Sequence, residues 1–194
     1  LTPDPAAVPR ITGAAIFGVR PGKPIRCRVS ATGEKPIRFS AKGLPKSVEI
    51  DAVSGWITGR APQRAGDLVV SIEARNAKGK ATRELTLHVG ETICLTPPMG
   101  WNSWYVHSEG VSEQTIRNIA TAMEAKGLTD HGWTYVNIDD CWMGLRDPVT
   151  KEIQPNAKFS DMKALADFVN GKGLKLGIYS TPWMSTYAGY IGGS

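Results

Sequence analysis

The stretch Tyr135-Val-Asn-Ile-Asp-Asp-Cys-Trp142 (YVNIDDCW) begins as a buried strand and then changes character. Asp139 and Asp140 stand side by side where the apolar run stops, and a thiol and an indole follow. Adjacent like charges at the end of a core strand have two readings. They make an ordinary exit into a turn or helix cap, or the strand delivers acids to a site. The neighbouring segments bear on the choice.

Upstream, Met99-Gly-Trp-Asn-Ser-Trp104 reads as a short, aromatic-rich strand. Ser112 reads as a helix N-cap, with Glu113 in the first turn where the helix dipole favours an anion. Ile116, Ile119, Ala120 and Met123 follow at helical spacing, and Gly127 supplies a stop. The strand Thr134–Asp140 comes next. A loop holding Asp147-Pro148 and Pro155-Asn156 then leads to a second helix, read as capped by Ser160 and patterned by Met162, Leu165, Ala166 and Val169. The strand Leu174–Ser180 closes the series. Strand, helix, strand, helix, strand favours a parallel sheet with helices packed on it. Trp104 and Asp139 are 35 residues apart, and Asp140 and Tyr179 are 39 apart. A (β/α)8 barrel uses about 31 residues per unit before insertions. A doubly wound sheet fits nearly as well, but no Gly-rich phosphate loop follows the first strand, which counts against the dinucleotide-binding version.

Before about Thr96 the grammar differs. Ile25, Cys27 and Val29 alternate with Arg26 and Arg28. Val48–Ile50, Leu68–Ala74 and Arg83–Val89 keep the same two-residue period, with turn signals such as Ser54-Gly55 and Asn76-Ala-Lys-Gly79 between them. Short strands at this spacing suggest a small β-sandwich. No catalytic constellation occurs there, and His88 stands alone. The division expected is therefore 1–92 and 93–194.

Composition narrows the function. The chain has 194 residues, 41% of them hydrophobic and 21% charged, which is ordinary for a globular protein. The net charge is +5, but Lys and Arg are scattered singly, so the clustered footprint of a nucleic-acid binder is missing. No apolar run approaches the ~20 residues needed to span a bilayer. Cys27, Cys94 and Cys141 form no CxxC or Cys/His pattern, so no zinc site and no cofactor is expected.

In parallel α/β folds, sites collect at the carboxyl ends of strands. Trp104, the Asp139–Asp140 pair and Tyr179 each end one of three successive strands. Trp and Tyr offer flat apolar faces with a polar edge, suited to the C–H face of a sugar. Paired carboxylates need donors, which a polyhydroxylated ligand supplies and a divalent metal would replace. Trp101 and Trp142 read equally well as packing, and Cys141 has no neighbouring base to activate it.

Thr96-Pro-Pro-Met-Gly-Trp-Asn-Ser-Trp104, Val136-Asn-Ile-Asp-Asp-Cys-Trp142 and Gly173-Leu-Lys-Leu-Gly-Ile-Tyr179 resemble the first three barrel strands of glycoside hydrolase family 27, the α-galactosidases and α-N-acetylgalactosaminidases. Phe39–Pro45, Asp51–Gly59 and Ala74–Gly79 resemble the Ig-like module preceding the barrel in many bacterial members. The resemblance implies a multidomain β plus α/β protein. An Ig-like β-sandwich would be followed by the first three βα units of a (β/α)8 TIM barrel. It implies a retaining, secreted bacterial glycosidase, periplasmic or extracellular, acting on a galactoside or related carbohydrate.

On that resemblance Asp139 and Asp140 bind distal hydroxyls of the terminal sugar, Trp104 lines the pocket, Tyr179 borders it, and Trp142 and Trp183 line it further. The nucleophile and the acid/base, supplied in that family by the fourth and sixth strands, are expected beyond Ser194, so no residue of this chain is assigned as catalytic. Many members carry a cysteine that pairs with the one at the Cys141 position. Tyr105-Val-His-Ser-Glu-Gly110 holds none, so Cys141 is expected as a free thiol. Ser180-Thr-Pro-Trp-Met-Ser-Thr-Tyr187 replaces a shorter loop, with Trp183 and Tyr187 able to reshape the site. The alternatives are a non-catalytic carbohydrate-binding or adhesion fragment and a metal-dependent hydrolase. The lack of His at the three strand ends counts against the latter.

Overall fold

The structure is a computed structural model that describes residues 4–193. It divides into two compact units. One reaches to Pro98 and includes Gly127–Trp133; the other comprises Met99–Lys126 and the chain from Thr134 onward.

The first unit holds β1 (Arg10–Thr12), β2 (Ile16–Val19), β3 (Pro24–Arg28), β4 (Ser30–Thr32), β5 (Arg38–Lys42), β6 (Val48–Ile50), β7 (Trp56–Arg60), β8 (Gly66–Asn76) and β9 (Gly79–Val89). Two sheets, ordered β2-β9-β8-β5 and β3-β7-β6, are accompanied by a small separate β1–β4 pair. Alternation explains the core. Val70, Ile72 and Ala74 on β8 and Leu85, Leu87 and Val89 on β9 point inward, and meet Ile25 and Cys27 on β3 and Ile57 on β7 in one cluster. The β8–β9 hairpin is closed by Asn76, whose Oδ1 accepts the Lys78 and Gly79 amides at 2.8 and 3.1 Å. Within the same unit, the Asp130 carboxylate pairs with Lys35 at 2.9 Å and Arg28 at 4.0 Å. The Thr12 hydroxyl donates to the Asp130 carbonyl at 2.6 Å.

The second unit runs β10 (Gly100–Asn102), α1 (Trp104–His107), α2 (Glu113–Ala125), β11 (Tyr135–Ile138), β12 (Met143–Arg146), β13 (Ile153–Pro155), α3 (Met162–Gly171) and β14 (Lys175–Ile178). β10, β11 and β14 form a parallel sheet with β11 in the centre. Gly177 sits where the Asn137 side chain of β11 crosses β14, and a Cβ there would run into the Asn137 amide oxygen. The inward stripes of α2 (Ile116, Ala120, Met123) and α3 (Leu165, Val169) are buried.

Four local expectations are corrected. Trp104 begins α1 and does not end a strand, because Asn102 turns the backbone by accepting the Trp104 amide at 2.9 Å. The two later strands are shorter than read: Thr134–Asp140 is β11 alone, because both aspartates have left the ladder, and Leu174–Ser180 is β14 alone. The loop around Asp147 contains the antiparallel β12–β13 pair, its turn closed by Asp147 Oδ1 accepting the Val149 and Thr150 amides at 2.8 and 2.7 Å. The α3 cap is Asp161, which accepts the Ala164 amide at 2.9 Å. Ser160 is engaged elsewhere: its hydroxyl donates to Glu113 Oε2 at 2.8 Å.

Candidate functional site

Because β10, β11 and β14 are parallel, the segments leaving their carboxyl ends emerge on one rim. Trp104 follows β10 with only Ser103 between, Asp139 and Asp140 follow β11 directly, and Tyr179 follows β14 directly. The rim is cross-braced by residues that sequence reading passed over. Asn102 Nδ2 donates to Asp139 Oδ2 at 2.8 Å. Ser103, fully buried, accepts the Asp139 amide on its hydroxyl at 2.9 Å.

The two like charges are accommodated by backbone donors. Asp139 Oδ1 accepts the Asp140 amide at 2.9 Å. Asp140, only 2% exposed, takes the Cys141 amide on Oδ1 at 2.8 Å and the Ala188 amide on Oδ2 at 2.9 Å. Hydrogen bonds from N–H groups are what make a buried carboxylate tolerable. A carboxylate oxygen has two lone pairs, so one partner on each leaves acceptor capacity for hydroxyl donors. Asp139 is the half-buried and more accessible of the two.

Cys141 turns the chain away from β11 with a φ of 75°. That left-handed conformation is uncommon outside glycine, and Asn156 supports it by donating from Nδ2 to the Cys141 and Met143 carbonyls at 2.9 and 3.3 Å. The thiol is fully buried. Burial, with the Asp140 charge second, pushes it above its ordinary value. A protonated thiol is a poor nucleophile. It is in no disulfide. Burial likewise raises Tyr190, with the neighbouring Cys141 second.

The remaining candidates separate. Trp142 is 7% exposed, and its indole N–H donates to the Tyr179 carbonyl at 2.9 Å, so it ties the ends of β11 and β14 together. Tyr179 is half-buried, its amide donating to the Ile138 carbonyl at 2.8 Å. Trp183 is 73% exposed. The Tyr187 ring meets Trp104 edge-to-face, with centroids 5.8 Å apart and planes at 82°. The half-buried Asp139, with acceptor capacity left, beside half-buried Trp104 and exposed Tyr187 makes a surface suited to a polyhydroxylated ring.

Comparison with known proteins gives this geometry a family. Residues 96–194, just over half of the chain, match the Melibiase_2 family model, described as alpha galactosidase A. Alpha-galactosidase A of Cellvibrio japonicus is 50% identical over 104 residues, covering 53% of this chain and 26% of the relative. The alpha-galactosidase of Coffea arabica is 48% identical over 102 residues, covering 52% and 27%. A Bacteroides fragilis crystal structure, provisionally assigned as an alpha-galactosidase, superposes with a TM-score of 0.87 at 35% identity, covering 95% of this chain and 40% of that one. The chain thus spans about a quarter of the length of these curated relatives. By the match over residues 96–194, the chain belongs to the alpha galactosidase A (melibiase) family.

Proposed function

We propose that the protein to which this chain belongs is a retaining glycosidase that removes terminal α-galactose-like sugars. Its first unit is read as an Ig-like sandwich and its second as the first three βα units of a (β/α)8 barrel, in a protein working outside the cytoplasm. The observation that carries the reading is the convergence of Trp104, Asp139, Asp140 and Tyr179 on one rim of the β10-β11-β14 sheet. In this reading Asp139 and Asp140 hold sugar hydroxyls through their spare lone pairs, and Trp104 faces the ring. Asp140 Oδ2 already accepts Ala188, so Asp139 carries the larger share of sugar contact. Neither aspartate cuts the bond. Retaining hydrolysis needs a nucleophile and an acid/base flanking the scissile bond, and the family resemblance assigns both to strands that follow the matched region.

The test is release of nitrophenol from p-nitrophenyl α-galactoside by the parent protein. Saturable release, suppressed by free galactose, is expected. Hydrolysis of the α-glucoside alone, or of neither compound, would overturn the reading.

A further inference from the structure

The segment Thr181–Gly193 is hydrogen-bonded within itself. Ser185 and Ile191 form a β-bridge. The Thr186 amide donates to the Tyr190 carbonyl at 2.8 Å, and the Gly189 amide to the Thr186 carbonyl at 3.1 Å. Tyr187 and Ala188 are therefore the two central residues of a tight turn. The turn is pinned on both flanks. Thr186 is buried, and the Ala188 amide donates to Asp140 Oδ2. Further along, Arg146 Nη2 donates to the Gly192 carbonyl at 2.6 Å. Between the two pins Tyr187 stands 88% exposed, with its ring against Trp104.

The ring is carried on a hydrogen-bonded turn. A buried carboxylate at the rim spends one of its two oxygens on the residue next to it. We infer that Tyr187 is a sugar-binding residue of the site, forming with Trp104 a two-walled aromatic surface for the C–H face of the terminal sugar. In this arrangement Asp140 is also a positioning residue, holding the turn through Ala188. The inference rests on the glycosidase reading above. It adds to it a wall that none of the strand ends supplies.

The test compares Tyr187→Ala and Tyr187→Phe in the parent protein, with p-nitrophenyl α-galactoside and raffinose as substrates. Removing the ring is expected to raise KM about 3–10-fold for both substrates with little change in kcat. Tyr187→Phe, which keeps the ring, is expected to stay within twofold of the wild-type KM. An unchanged KM in Tyr187→Ala overturns the inference, as does a change with raffinose alone, which would place the ring against the leaving group. A wild-type protein inactive on both substrates would instead overturn the glycosidase reading itself. The positioning half is tested without sugar. Asp140→Ala removes both carboxylate acceptors, and exchange at the Ala188 amide is expected to accelerate at least 10-fold. Unchanged protection there would overturn the role given to Asp140.

Discussion

At the scale of single residues, the two aspartates of YVNIDDCW differ more than their adjacency suggests. Asp139 is the accessible acceptor, braced by Asn102 and by the Asp140 amide. Asp140 is enclosed between the amides of Cys141 and Ala188. Asp139→Ala is expected to lower kcat/KM for p-nitrophenyl α-galactoside by about 10–100-fold, the range of one or two charge-assisted hydrogen bonds. Steady-state kinetics checks it. Cys141 supplies a second expectation. Because burial raises its thiol value, it stays protonated at pH 8 and loses its proton only at higher pH than an ordinary cysteine. Iodoacetamide at pH 8 is expected to label the exposed Cys94 while leaving Cys141 unlabelled, as read by peptide mass spectrometry. The places of Asp139, Asp140 and Tyr179 just past strand ends were legible in the sequence, because a strand end is visible as the point where an apolar run stops. Asn102, Ser103 and Ala188 were not, since each acts through a hydrogen bond to a residue distant in sequence.

At the scale of elements, helix periodicity and glycine stops located α2 and α3 closely, while the start of α3 was misread by one residue. Two adjacent cap-competent residues, Ser160 and Asp161, compete there, and the choice is made by Glu113 at the start of α2. Its carboxylate accepts from the Ser160 hydroxyl and amide and from Arg117 Nε and Nη2, the last two at 2.9 and 2.7 Å. Ser160 foremost, then Arg117, holds Glu113 below its ordinary value of 4.5. A carboxylate depressed in the folded state stabilises fully above its unfolded value and loses that contribution as pH falls through the folded one. The stability difference between wild type and Glu113→Gln is therefore expected to be largest near pH 7 and to shrink below about pH 4.5. At neutral pH it is expected at about 1–2 kcal/mol. Urea midpoints from pH 7 to pH 3 measure it.

At the scale of the whole molecule, the change from two-residue to helical periodicity near Thr96 is visible along the chain. The place of Gly127–Trp133 in the first unit is not. Asp130 in that segment meets Lys35 and Arg28, partners drawn from far upstream. Surface ion pairs contribute little on average, so the stability of that unit rests on its apolar core. Ile57 is fully buried at the junction of its two sheets. Ile57→Ala is expected to destabilise the first unit by about 2–5 kcal/mol, seen as faster amide exchange along β8 and β9.

The site itself is tested most directly by the crystal structure of the parent protein soaked in galactose. The expected result is a sugar with hydroxyls within hydrogen-bond distance of Asp139, its C–H face on Trp104 and Tyr187 and its edge toward Tyr179. Galactose bound elsewhere, with Asp139 still contacted only by Asn102 and the Asp140 amide, would contradict the account.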